Sequence, residues 1–317
     1  SLHKQDPQYH ILSNNLAHLY CSMGKYDKAL PLYQKNLENL IDRILLSFGF
    51  LSEQEKENYI KTVGFNFRIY QSFFTNYSIQ NYNVAEPSFE IELITKGMIL
   101  NSSQQIRRTI EESGDIEALG IYEEWFIKKS TLARQYALPI SERSEELKTW
   151  ENEAEQLEKQ LTQLSATFKE NTDLGKTTWQ DVQATLRENE VAIEFCSFQY
   201  RNDKKWTDST LYTALILKKS FERPVLVPLF EQRQLDSLLL SDGSDAARVA
   251  GLYRGSEVVS AKKNHKKLYD LIWKPLEAYL NENETVYFAP SGSLHQIAFS
   301  AIVTPDGKYL SDKYTLH

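Results

Sequence analysis

Apolar residues recur three and four positions apart through the first half of the chain and change to strand-like spacing near residue 190. Helices are therefore expected first and a sheet later. Residues 10 to 43 read as two amphipathic helices broken at Met23-Gly24-Lys25, with Leu16, Ala17 and Tyr20 on one face and Tyr26, Ala29, Leu30 and Tyr33 on the next. Ser52-x-x-Glu55 has the form of a capping box. Behind it, Ile60, Val63, Phe67, Tyr70, Phe74 and Tyr77 predict a helix over about 53 to 78. A second helix, about 84 to 112, carries Ile91, Ile94, Met98, Ile106 and Ile110 and stops at Gly114, and Asp115 caps a third that runs to about Ala137. Pro139 ends that array.

From Leu147 the apolar positions are Trp150, Ala154, Leu157, Leu161, Leu164 and Phe168, a 3,4 alternation among Glu and Lys. Such a seam fits a coiled coil. It equally fits an intramolecular hairpin that buries the seam on the preceding helix, and this reading is favoured because three heptads make a marginal independent coiled coil.

Farther on, Thr178-Trp-Gln-Asp opens a short helix bearing Trp179, Val182 and Leu186. Residues 191 to 200 and 210 to 218 predict strands, the second apolar on both faces and so inside a sheet. Residues 224 to 229 add a strand that Pro224 and Pro228 confine to an edge. A helical stretch from about Ala261 carries Leu268, Ile272, Leu276 and Leu280 and is kinked at Pro275. Residues 285 to 289 form the last strand expected, and the turn Pro290-Ser291-Gly292 follows.

Composition narrows the function classes. At 317 residues the chain is long enough for more than one unit, and its 41% apolar content can fill their cores. A net charge of −7 argues against nucleic acid as a partner, although Lys262, Lys263, His265, Lys266 and Lys267 form a local basic run read as a solvated helix surface. No apolar run is long enough to span a bilayer, and Ser1 to His10 is no signal peptide, so a soluble protein is expected. Cys21 and Cys196 are the only cysteines, which excludes a disulfide framework and makes the cytoplasm the default compartment. No phosphate-binding loop, dinucleotide fingerprint, HExxH or EF-hand occurs, so no cofactor and no metal are expected.

Two resemblances add to this reading. Leu16, Ala17, Tyr20, Gly24, Tyr26, Ala29 and Tyr33 match the positions of a tetratricopeptide repeat, whose unit is about 34 residues long; Asn36 and Ile41 depart from that family's pattern. A solenoid repeat buries its apolar face only against neighbours, so further repeats before Ser1 are expected. Pro290-Ser-Gly-Ser-Leu294-His-Gln-Ile-Ala-Phe299-Ser-Ala301, followed by Asp306-Gly-Lys-Tyr-Leu310, resembles the opening signature of the CHAT domain, a caspase-like module associated with such repeats. Thr95 to Leu100 and Ala192 to Phe195 resemble segments usual in the same proteins.

Together these imply a mainly α chain with a C-terminal α/β part, a TPR-like helical solenoid followed by an incomplete caspase-like sheet. The expected division is a repeat over 1–45, a degenerate TPR-like array over 46–140, a linker helix over 141–172 and the amino-terminal part of a CHAT domain over 173–317. Relatives of the caspase-like core cleave peptides with a Cys–His dyad, the imidazole assisting a thiolate. The resemblance places that histidine in a His-Gly motif and the cysteine in a Ser-Ala-Cys motif. Neither motif occurs in this sequence, so no catalytic residue is expected. Pro290, Gly292, Leu294, Phe299 and Ala301 are assigned structural roles, with Leu294, Ile297 and Phe299 anchoring the segment that leaves the strand. A substitute dyad of Cys196 and His295 is disfavoured, because a cysteine in an apolar strand acts as a small hydrophobe. By repeat register Asn14 and His18 lie on the groove side, where a protein or peptide partner would bind. Two other readings stay open: the chain as part of a caspase- or separase-like endopeptidase controlled by its repeats, and a scaffold assembling through the Leu147–Phe168 seam. Oligomeric state is left open.

Overall fold

The computed structural model describes residues 7–48, 51–78, 84–97, 107–136, 138–168, 177–202, 205–240 and 266–317. Helices lead the chain: α1 (Pro7–Ser22), α2 (Tyr26–Phe48), α3 (Glu53–Ser78), α4 (Ala85–Glu92), a helical segment α5 (107–113), α6 (Ile116–Tyr136), α7 (Leu147–Phe168) and the short α8 (Trp179–Thr185). A five-stranded mixed sheet follows, built from β1 (Glu190–Arg201), β2 (Trp206–Lys218), β3 (Val225–Glu231), β4 (Thr285–Ala289) and β5 (Thr315–Leu316) in the order β3-β2-β1-β4-β5. Two further helices are α9 (Gln232–Leu240) and the single-turn α10 (Leu310–Lys313). The chain is thus mainly α with a C-terminal α/β part. No helix among the described residues is long and apolar enough to cross a membrane.

The chain divides into two compact units. One contains residues 1–36, 66–92 and 177–317, the other 37–65 and 93–176.

In the first unit the sheet is the organising layer. β1 pairs antiparallel with β2 and parallel with β4, and β2 pairs antiparallel with β3. β2 lies inside the sheet between β3 and β1, as its sequence, apolar on both faces, requires. β3 lies at an edge, where its prolines are tolerated; opposite Tyr212 and Thr213 its register shifts, so that Phe230 and Pro228 pair and Leu229 is skipped. β4 is not the last strand, because β5 pairs parallel with it through Thr285↔Thr315 and Val286↔Leu316. Two residues are too few to give an alternating pattern. The predicted helix through Pro275 also takes another form: a π turn, Tyr269–Trp273, passes into a 3₁₀ helix, Lys274–Tyr279. Proline has no N–H to donate one turn back, so an α ladder cannot continue there. These turns pack Leu268, Ile272, Trp273 and Leu276 against Val191, Ile193, Ile216 and Val286 of the sheet, together with Leu294, Phe299 and Leu310.

One ion pair is buried in this core. Lys218 Nζ donates to both carboxylate oxygens of Glu284, at 2.7 and 2.9 Å, with both side chains 8% exposed. Buried charges need such pairing to offset the loss of water. Asn281 adds two more donors to Glu284.

The helical part of the same unit has Ala17 and Ala29 fully buried, where α1 and α2 approach each other. Gly24 makes the turn at φ +68. Tyr26, Tyr33, Tyr70, Phe73 and Tyr77 form an aromatic cluster with ring centroids 4.6–6.4 Å apart. Asn36 is buried and donates to Asn14 Oδ1 at 2.7 Å.

The second unit is helical. Ser52 and Glu55 close the predicted capping box, since Ser52 N–H donates to Glu55 Oε2 and Glu55 N–H to Ser52 Oγ. The predicted helix of about 84 to 112 is interrupted. Its α-helical part ends at Glu92 and a π turn, Leu93–Gly97, follows, closing on glycine, a poor helix former; Met98 and Ile106 lie outside the described residues. Asp115 Oδ1 accepts from Ala118 N–H, capping α6. The α7 seam packs within the chain: Ala154 and Leu161 are buried, the latter with Ile110 and Ala118, while Lys128 donates to Glu153 and Tyr136 to Glu151. A helical hairpin is therefore the form the seam takes here.

Candidate functional site

At residue 289 β4 ends beside Glu194, but its parallel neighbour β1 runs on through Phe195, Cys196 and Ser197. The chain leaving β4 turns against this projecting part of β1. Ser197 and Tyr212 are cross-strand partners on one sheet face, so both reach the same turn. Ser197 Oγ and Ser291 Oγ share a hydrogen bond of 2.8 Å. Tyr212 OH accepts from Ser293 N–H at 3.0 Å and donates to Gln232 Oε1. The Gln232 amide then donates to Ser293 Oγ at 3.0 Å and to Asp236 one helical turn along α9. The ring of Tyr212, 2% exposed, stacks on Phe230 at 4.6 Å.

Gly292 is held inside this network. Its φ is +54, and a Cβ there would sit 2.5 Å from Tyr212 Oη and 2.9 Å from Ser197 Oγ. Only glycine fits, on both conformational and steric grounds. Beyond the turn Leu294, Ile297 and Phe299 enter the core, the last with Phe288 at 4.6 Å, Phe195 at 5.5 Å and Trp273 at 6.3 Å. Pro290 and Ala301 are half-buried. The following turn is fixed by Thr304, which donates to Asp306 and Lys308, and by Leu310 N–H donating to Ile302 O at 2.9 Å.

This arrangement holds a backbone shape, and the side chain hydrogen-bonded to the Ser293 hydroxyl is an amide rather than a base. Ser293, Gln232 and Asp236 are ordered like a hydroxyl–base–acid relay, but the middle group is an amide whose NH₂ donates in both directions and takes up no proton at neutral pH. Cys196 is fully buried, and successive side chains on a strand point to opposite faces, so its thiol lies on the face away from Ser197 and the turn. His295 is exposed on that turn. The structure does not bring the two together as a dyad. Among the described residues no group of three or more His, Cys, Asp or Glu side chains converges as a metal site. Lys262, Lys263 and His265 of the basic run lie outside the described residues.

Asn14 and His18, on α1, lie in the same unit as the sheet. Asn14 Oδ1 is taken up by Asn36, and His18 Nε2 meets the guanidinium of Arg201 at the end of β1. Gln232 and Tyr212 escaped the sequence reading. Their partner Ser293 is 61 and 81 residues away, and the one available signal was the Leu235, Leu238, Leu239 spacing that marks α9.

A sequence model of the CHAT domain family matches residues 262–317, the segment containing β4, the Pro290–Ser293 turn and β5. This stretch is similar to a caspase-like, peptidase-related domain. No curated protein matches the chain.

Proposed function

We propose that the chain joins a tetratricopeptide-type protein-interaction region to the amino-terminal portion of a CHAT cysteine-peptidase-like domain, and that these 317 residues are catalytically incomplete. The observation that carries the reading is where the CHAT match falls. It covers a strand parallel to β1 and the turn at its carboxyl end, the end at which open α/β sheets place their chemistry. Two buried cysteines support the second half of the proposal, since a nucleophilic thiol needs access and a thiolate-stabilising neighbour. The helices would bind a protein or peptide partner, and the compartment would be the cytoplasm.

The test is hydrolysis. The full chain, incubated with a mixed peptide substrate library, is expected to release no fragments, and a cysteine-peptidase-directed acyloxymethyl ketone is expected to label neither Cys21 nor Cys196 in the folded state. Thiol-dependent turnover that disappears in Cys196→Ser would overturn the proposal.

A further inference from the structure

The end of the β1–β2 hairpin is read by side chains of α1 and α3. Between Gln199 and Arg201 the β1–β2 register shifts, so Tyr200 drops out of the ladder while Arg201 pairs with Trp206. Tyr200 OH donates to Asn76 Oδ1 at 2.9 Å, and Arg201 N–H donates to the buried Ser72 Oγ at 3.0 Å. The Arg201 side chain meets His18 Nε2. A guanidinium carries donors only, so that ring nitrogen must present its lone pair. Trp206, the cross-strand partner of Arg201, lies under the Arg68 guanidinium at 5.9 Å.

Three acceptors on two helices thus converge on one extended dipeptide: one on a tyrosine hydroxyl, one on a strand amide, one on a guanidinium. Tyrosine and arginine are the residue types that dominate binding between separate proteins. We infer that the surface formed by His18, Ser72 and Asn76 is a recognition site for an extended Tyr-Arg segment, and that Tyr200-Arg201 of the same chain occupies it in cis. A partner presenting tyrosine and arginine on an extended strand competes with the hairpin for this surface. The inference rests on reading the helices as an interaction region. The hydrolysis assay above reports on thiol chemistry and not on this surface, so the two readings fail separately.

Substituting Tyr200→Ala together with Arg201→Ala in the full chain frees His18 and Asn76, leaving only the residue 201 amide on Ser72. A fluorescein-labelled acetyl-Gln-Tyr-Arg-Asn-amide peptide, followed by polarisation, is expected to bind this variant at least about tenfold more tightly than the unsubstituted chain. Replacing the peptide arginine by citrulline, or adding His18→Ala to the variant, is expected to abolish that gain, whereas His18→Gln, which keeps an acceptor, preserves most of it. Equal binding by the two chains, or equal binding of the citrulline peptide, overturns the inference. Should the double variant fail to fold, amide exchange decides. In an otherwise unsubstituted chain His18→Ala is expected to raise exchange at Arg201 about tenfold or more, and unchanged exchange there would refute the assignment.

Discussion

Lysine–glutamate pairs occur in both units of the chain, but in different surroundings. In the sheet-bearing unit Lys218 and Glu284 are sealed from water on both sides. In the helical unit Lys129 reaches Glu53 and Lys159 reaches Glu55 with more than a third of each side chain exposed. Both units bury apolar side chains, among them Leu40, Ile41, Ile44, Ile110 and Leu161 in the helical unit and an aromatic and aliphatic cluster along the sheet. One sequence therefore uses one pair chemistry in two ways: as a buried pin whose loss leaves a bare charge, and as a solvated edge that gives direction with little energy.

The sharpest way to break that comparison is the same substitution in both places. Lys218→Met is expected to cost about 3–5 kcal/mol by stranding Glu284, while Lys159→Met leaves the unfolding midpoint nearly unchanged. Equal effects in chemical denaturation would erase the distinction. Next in size, Phe299→Ala opens a cavity among Phe288, Phe195 and Trp273 and is expected to cost roughly 3–5 kcal/mol; an unmoved midpoint would show that the sheet core does not depend on that ring. Gly292→Ala follows at about 2–3 kcal/mol, combining a left-handed backbone with a broken Tyr212–Ser293 bond. Hydrogen exchange of the Ser293 amide reads it directly.

Acid sharpens the contrast with the smallest expected effect, opposite in sign in the two units. Burial raises the Glu284 carboxyl, but Asn281 and Lys218 outweigh burial and hold it below its ordinary value of 4.5. That stability is present above the unfolded value and is lost as pH falls through the folded one. Burial pushes Glu158 of the helical unit the other way, above 4.5, against the Glu53 N–H and Lys129. Its charged form costs stability near neutrality, and this cost fades as pH falls through the raised value. Glu158→Gln should flatten the pH dependence of exchange in α3 and α7, and Glu284→Gln that around β4. Changes of the same sign at the two positions would contradict these assignments.

Long elements were legible in the sequence because many residues repeat one message. The 3,4 spacing from Ile60 to Tyr77 predicted α3 with its observed limits, and the two prolines of residues 224 to 229 predicted an edge strand. The core roles of Leu294 and Phe299 were readable because the segment's apolar residues had one nearby sheet to pack on. What escaped depends on partners distant in sequence or on very short elements. β5 has two residues. The network of Tyr212, Gln232 and Ser293 joins three segments, each unremarkable alone. Asn36 interrupts the apolar spacing until Asn14, 22 positions earlier, is seen to accept a hydrogen bond from its side-chain amide.

The skipped residue and the proline on β3 give the sheet a direction of growth. Pro228 has no amide hydrogen to offer and Leu229 is out of register, so a strand arriving on that flank would meet a broken row of donors. The opposite flank ends in β5, which follows β4 in parallel without interruption. Enlargement of this layer, by whatever polypeptide supplies it, is steered toward the flank that also carries the CHAT match.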